Sequence, residues 1–109
     1  MIINGQKINC TLQDFKRFVL EIVERDIRFQ DLNTMKNTMN EYFLLVYEFC
    51  IIKRGEPTCE GPERGNLTRE INKLKKLQLY WGRIPTREIF LVRFYNYLLS
   101  TEKLYYRRR

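Results

Sequence analysis

Histidine is absent from the chain, and its three cysteines, Cys10, Cys50 and Cys59, have no CxxC spacing. Those two facts remove most ordinary side-chain catalysis. Without an imidazole there is no Ser–His or Cys–His nucleophile, and the commonest metal ligand is missing. Three scattered thiols do not complete a four-ligand zinc site. The run Arg54-Gly-Glu-Pro-Thr-Cys-Glu-Gly-Pro-Glu-Arg-Gly65 holds glycines, but no Gly-Lys-Ser/Thr follows to make a phosphate-binding loop. Carboxylates remain, yet they fall in that run and on the segment after Thr11, beside Arg and Lys. Glu21–Arg25 and Glu24–Arg28 sit at i,i+4 spacing, the pattern of a solvated ion-pair face rather than a metal site. The expectation is a non-enzymatic protein with no catalytic residue, no metal and no cofactor.

Cations offer more. The formal net charge is +7, and the C-terminal third carries the bias: Arg83, Arg87, Arg93, Lys103, Arg107, Arg108 and Arg109 face only Glu88 and Glu102. Such a surface suits nucleic acid, an anionic membrane or an acidic protein, or simply keeps an aromatic-rich chain soluble. Lys73, Lys75, Lys76, Arg83 and Arg87 gather near one junction, and Tyr105-Tyr106-Arg107-Arg108-Arg109 joins stacking surfaces to charge. Arg and Tyr suit phosphates and unstacked bases. These eight cations (Lys73, Lys75, Lys76, Arg83, Arg87, Arg107, Arg108, Arg109) are the expected nucleic-acid-binding residues, with weak sequence preference and strong salt dependence. DNA and RNA are not distinguished. The segment Leu74–Ile89, with Gly82 in its turn, is faintly similar to a helix-turn-helix. Gln78, however, stands where a small residue permits close packing, the Gly82-to-Ile89 gap is about one residue too long, and the second helix is too apolar to read base edges.

The elements that must carry these groups are helical. Ile2-Ile3-Asn4-Gly5-Gln6-Lys7 reads as a tiny hairpin with a type I′ Asn-Gly turn, pairing Ile3 with Gln6 and Ile2 with Lys7. Thr11 caps a first helix running to about Arg28, with Leu12, Phe15, Val19, Ile22 and Val23 on one face and Phe18 beside them. Asp31 or Asn33 caps a second, from there to about Lys53. Its first half is polar with a narrow Leu32, Met35, Met39 stripe, and Gly55 is a natural stop. Residues 54–66 read as a flexible loop with an exposed Cys59. A third helix opens at Asn66 or Thr68 and runs to Trp81, along Leu67, Ile71, Leu74, Leu77 and Trp81. A fourth runs from about Thr86, or Pro85, to about Tyr105.

The fold expected is all-α: one domain over residues 1–109, a four-helix antiparallel bundle with a small N-terminal β-hairpin flap (1–10) and a basic tail (106–109). The stretch Glu41-Tyr-Phe-Leu-Leu-Val-Tyr-Glu-Phe-Cys-Ile-Ile52 is apolar on nearly every side, and the fourth helix nearly so. Both must be enclosed by neighbours. That excess predicts a homodimer, with Tyr42, Leu45, Phe49, Phe90, Phe94 and Tyr97 as its interface. Alanine is absent too, so the core is built from large side chains. No apolar run reaches the roughly 18–20 residues that span a bilayer. No secretory signal is visible, so a reducing intracellular compartment, nuclear or cytoplasmic, and free thiols are expected, and the Asn9-Cys-Thr11 and Asn66-Leu-Thr68 glycosylation patterns are read as chance. Small size, missing Ala and free thiols fit a viral or mobile-element protein. The functional expectation is a self-associating nucleic-acid binder in a packaging or regulatory role; the alternative is an adaptor that docks a partner helix on an exposed apolar face.

Overall fold

The computed structural model describes residues 1–3 and 5–107, with side chains described up to Thr101. It is an all-α bundle with a hairpin flap: β1 (Ile2–Ile3), β2 (Gln6–Lys7), α1 (Leu12–Ile27), α2 (Leu32–Arg54), α3 (Pro62–Gly82) and α4 (Arg87–Arg107). No helix is long and apolar enough to cross a membrane among the described residues.

Local chemistry fixes the element ends. The strands pair antiparallel with Ile2 opposite Lys7 and Ile3 opposite Gln6, and Gly5 takes φ +77°, a left-handed value that suits the glycine of a tight hairpin turn. Ile3 is buried, so the flap is pinned to the helices. The Thr11 hydroxyl accepts from the Asp14 N–H at 3.1 Å and starts α1. The Asp31 carboxylate accepts from the Thr34 N–H at 2.8 Å and starts α2; that bond holds its pKa below the ordinary carboxylate value. The Thr86 hydroxyl accepts from the Ile89 N–H at 3.2 Å and starts α4.

Consecutive helices run antiparallel. Gln78 bonds Asn40, and Arg54 bonds Thr68, at opposite ends of the α2–α3 contact. Arg87 at the start of α4 donates to the Gln30 carbonyl at 2.8 Å and to the Arg28 carbonyl, which clamps α4 onto the α1–α2 turn. Around α2 the core is aromatic. Phe15 stacks on Phe49 with centroids 4.6 Å apart. Trp81 meets Phe90 edge-on at 5.1 Å and lies against Phe43 and Tyr97.

Inside this core lies a polar group with one member from each helix. Lys16 Nζ (α1) donates to Glu70 Oε1 (α3) at 3.0 Å, with side chains only 5% and 12% exposed. The Tyr42 and Tyr97 hydroxyls (α2, α4) bond at 2.9 Å, and Lys16 lies 5.8 Å from the Tyr97 ring centroid.

Several expectations are corrected. The inward face of α1 differs from the expected one. Phe15, Val19 and Val23 are buried, but Lys16, Leu20 and Ile27 complete the face, while Ile22 and Phe18 stay in solvent. Glu21 pairs with Arg17 at 3.4 Å instead of Arg25, and the Arg28 guanidinium lies over the Phe29 ring instead of bonding Glu24. Gly55 ends α2 with φ −79°, so no left-handed turn is used there. Helix α3 starts at Pro62, because proline at the first helical position surrenders an N–H that has no partner anyway. That confines the loop to residues 55–61. Cys59 in it is buried, at 2% exposure; Arg64 donates to its carbonyl through Nε and Nη2 and folds the loop inward.

The residues expected at a dimer interface are instead used within the protein itself. Tyr42, Phe49, Phe90 and Phe94 are buried in the protein's own core, while Leu45 and Tyr97 are half-buried. The chain has enough neighbours to cover one face of α2 and α4. It leaves the opposite faces open: Leu44, Tyr47 and Ile51 on α2, and Ile89, Val92 and Leu99 on α4.

Candidate nucleic-acid interface

An α-helix turns by about 100° per residue, so cations in steps of three and four share a face and cations two apart lie on nearly opposite sides. Applied to α3, this regroups its basic residues. Asn66, Arg69, Lys73, Lys76, Tyr80 and Arg83 follow one another in such steps, and all six are exposed. Arg83 is the C-cap, with φ −96° and ψ −1°, and continues the stripe past the last turn. From Arg69 to Arg83 the stripe spans about 21 Å at 1.5 Å per residue. No carboxylate interrupts it, since Glu70 is turned inward to Lys16.

The stripe has internal order. Arg69 donates to the Asn66 side-chain oxygen. Arg93 of α4 lays its guanidinium over the Tyr80 ring, 4.5 Å from the centroid, a cation–π contact that fixes a cation and an aromatic surface side by side. Tyr80 keeps about half its surface in solvent. Chemically, a row of fixed positive charge can meet successive phosphates, and an aromatic ring beside it can offer a stacking face.

The expected residues divide accordingly. Lys73, Lys76 and Arg83 are brought together. Lys75 is exposed but lies about 160° around the helix from Lys73. Arg87 is half-buried, its guanidinium spent on the Arg28 and Gln30 carbonyls. Arg107 ends α4, and its side chain, like all of Arg108 and Arg109, lies outside the described residues. Arg69 and Arg93 join the stripe although neither is among the eight expected residues; the three- and four-residue steps from Asn66 to Arg83 are the signal for the first.

Beside the stripe a cleft of about 430 Å³ is lined by Lys53, Arg69 and Lys73 together with Glu63 and Glu70, so its charge is mixed. The buried Lys16–Glu70–Tyr97–Tyr42 group borders it through Glu70. Burial works against the Lys16 ammonium, but Tyr97 and Glu70 outweigh that and raise its pKa. Burial also raises both tyrosines, Tyr42 well above the ordinary value, with the Lys16 charge opposing the shift at Tyr97. At neutral pH this leaves a firmly protonated lysine and two neutral phenols. A general base would need the opposite shift at lysine, so the group reads as a structural tie. Lys16 was legible as the one charge inside the Leu12, Val19, Val23, Ile27 stripe of α1. Among the described residues no cluster of His, Cys, Asp or Glu is placed to hold a metal ion.

No protein-family model, no curated protein and no solved structure matches this chain.

Proposed function

We propose that this protein is a non-enzymatic nucleic-acid-binding module that lays the exposed stripe of α3 along a phosphate backbone. One observation carries the reading: Arg69, Lys73, Lys76 and Arg83 share one solvent face of a single helix with no carboxylate among them. The Tyr80–Arg93 stack adds a surface for an unpaired base. Self-association belongs to the same reading. The surfaces a second copy would cover are the open apolar faces of α2 and α4, not the buried residues of the core.

The test is a salt titration of binding to short labelled duplex and single-stranded oligonucleotides. Four phosphate contacts give a slope of log K against log salt near −3.6 on duplex and near −2.8 on single strand. Replacing Lys73 and Lys76 together by Gln should remove about half of that slope. Lys75→Gln, on the far side of the same helix, should leave it unchanged. Equal loss from Lys75→Gln and Lys73→Gln would show that overall charge, rather than the stripe, does the binding. No binding at about 50 mM salt would remove the proposal altogether.

A further inference from the structure

Between the flap, α1 and α2 lies a half-open cleft of about 310 Å³, at the lower end of the size range of ligand sites. It is polarised along its length. Ile3, Ile8, Phe15, Phe18 and Leu45 make the flap end apolar, while Asp26, Gln30, Thr38 and Glu41 collect toward the α1–α2 turn. On α1 the lining runs from Phe15 to Asp26, about 16 Å of helix or three turns. Phe18 and Ile22 stand on its rim, 56% and 48% exposed, as large apolar side chains that the fold does not cover.

Charge says what would cover them. The protein carries +7 overall, yet the charged residues lining this cleft are Asp26 and Glu41 alone. Neither carboxylate is in an ion pair among the described residues. An apolar trough with two unpaired carboxylates at one end fits an apolar surface that ends in cations. A second copy of this chain fits poorly. Its open apolar face on α2 runs beside Glu48, that on α4 carries Glu88 as well as Arg93, and on α3 only Leu79 and Tyr80 are large and exposed among the cations.

We propose that this cleft is a docking groove for a basic amphipathic helix of a partner protein. The apolar side chains of that helix lie against Phe18, Ile22 and Leu45, and its Lys or Arg residues meet Asp26 and Glu41. This is the helix-in-groove mode of recognition, with anchors at i, i+3 or i+4, and i+7. It rests on α1 and α2 and is independent of the polyanion stripe on α3.

The probe is a labelled amphipathic peptide of Leu and Lys, about 14 residues long to fill three to four turns, with a Leu/Glu counterpart of the same pattern. Fluorescence anisotropy should show the Lys peptide binding at least tenfold tighter than the Glu peptide. Asp26→Lys with Glu41→Lys should reverse that preference. Ile22→Glu, at a half-exposed position, should weaken the Glu peptide tenfold or more and the Lys peptide less, because the added carboxylate offsets part of the lost apolar contact. Lys73→Gln with Lys76→Gln should change neither, which separates this groove from the nucleic-acid reading. Circular dichroism of each variant verifies that it is folded. Equal affinity for the two peptides, or indifference to the double charge reversal, would overturn the proposal. So would light scattering that shows Ile22→Glu splitting a dimer of the protein, since the occupant would then be a second copy.

Discussion

Replacing Lys16 by Met keeps the length of the side chain and removes its charge. The Glu70 carboxylate, 12% exposed and bonded to Lys16 at 3.0 Å, then loses its bonded cation where the bundle interior meets the cleft. Removing one partner of a buried pair costs about 3–5 kcal/mol, because the remaining charge loses both water and its counterion. For a chain of this size the urea slope is about 1–3 kcal/mol per M, so the midpoint should fall by roughly 2 M. Lys16→Met combined with Glu70→Leu removes both charges. The pair sits where hydrophobic side chains of similar volume would pack, so the double variant should recover most of the loss and stand within about 1 kcal/mol of the parent or above it. The coupling energy from the four proteins should exceed about 2 kcal/mol. Urea denaturation followed by circular dichroism measures all of this. A single Lys16→Met cost below about 1 kcal/mol is what a solvated surface pair would give; it would refute the claim that this group ties the four helices from within.

Two further outcomes follow from buried and strained groups. Burial pushes the Cys50 thiol from an ordinary 9.0 up to about 12. Above pH 9 the unfolded chain therefore releases a proton that the native chain keeps, and stability falls as pH rises toward 12, by at most about 1.4 kcal/mol per pH unit. Cys10, also raised chiefly by burial, adds to the loss above pH 9, the raised tyrosines join above pH 10, and Lys16, which the native state keeps charged longer, joins above 10.5. Between pH 9 and 11 the parent should thus lose stability relative to Cys50→Val in thermal melts; parallel curves would mean that the thiol is solvated. Gly61 caps α3 at φ +57° and ψ −127°, a conformation nearly closed to other residues. Gly61→Ala meets no neighbour within 4 Å, so its expected cost of about 1–3 kcal/mol is backbone strain alone; a cost within error of zero in the same urea assay would show that the loop relaxes.

Sequence by itself determined the features that are local. A Thr hydroxyl or Asp carboxylate three residues before a free N–H can set a helix start, and Thr11, Asp31 and Thr86 all do so, whereas Thr68 lies inside α3. The flap register, Ile2 opposite Lys7 and Ile3 opposite Gln6, is the one that a two-residue hairpin loop implies. The α3 stripe of Leu67, Ile71, Leu74 and Trp81 faces inward as its spacing implies, because polar residues separate its members and give the pattern a phase. The basic stripe on the other side of α3 was equally legible, provided that cations are grouped by helical phase rather than by nearness in the chain. Residues 42–52 had no such phase. Nearly every position there is apolar, so periodicity cannot say that Phe43, Val46 and Phe49 turn inward while Leu44, Tyr47 and Ile51 face solvent. Only the placement of α1, α3 and the flap around α2 makes that choice. The same placement buries Cys59, spends Arg87 on the α1–α2 turn, and sets Lys16 against Glu70, 54 residues away in the chain. Those contacts arise from how whole helices pack, and a sequence pattern records a helix's own faces, not which neighbour will cover them.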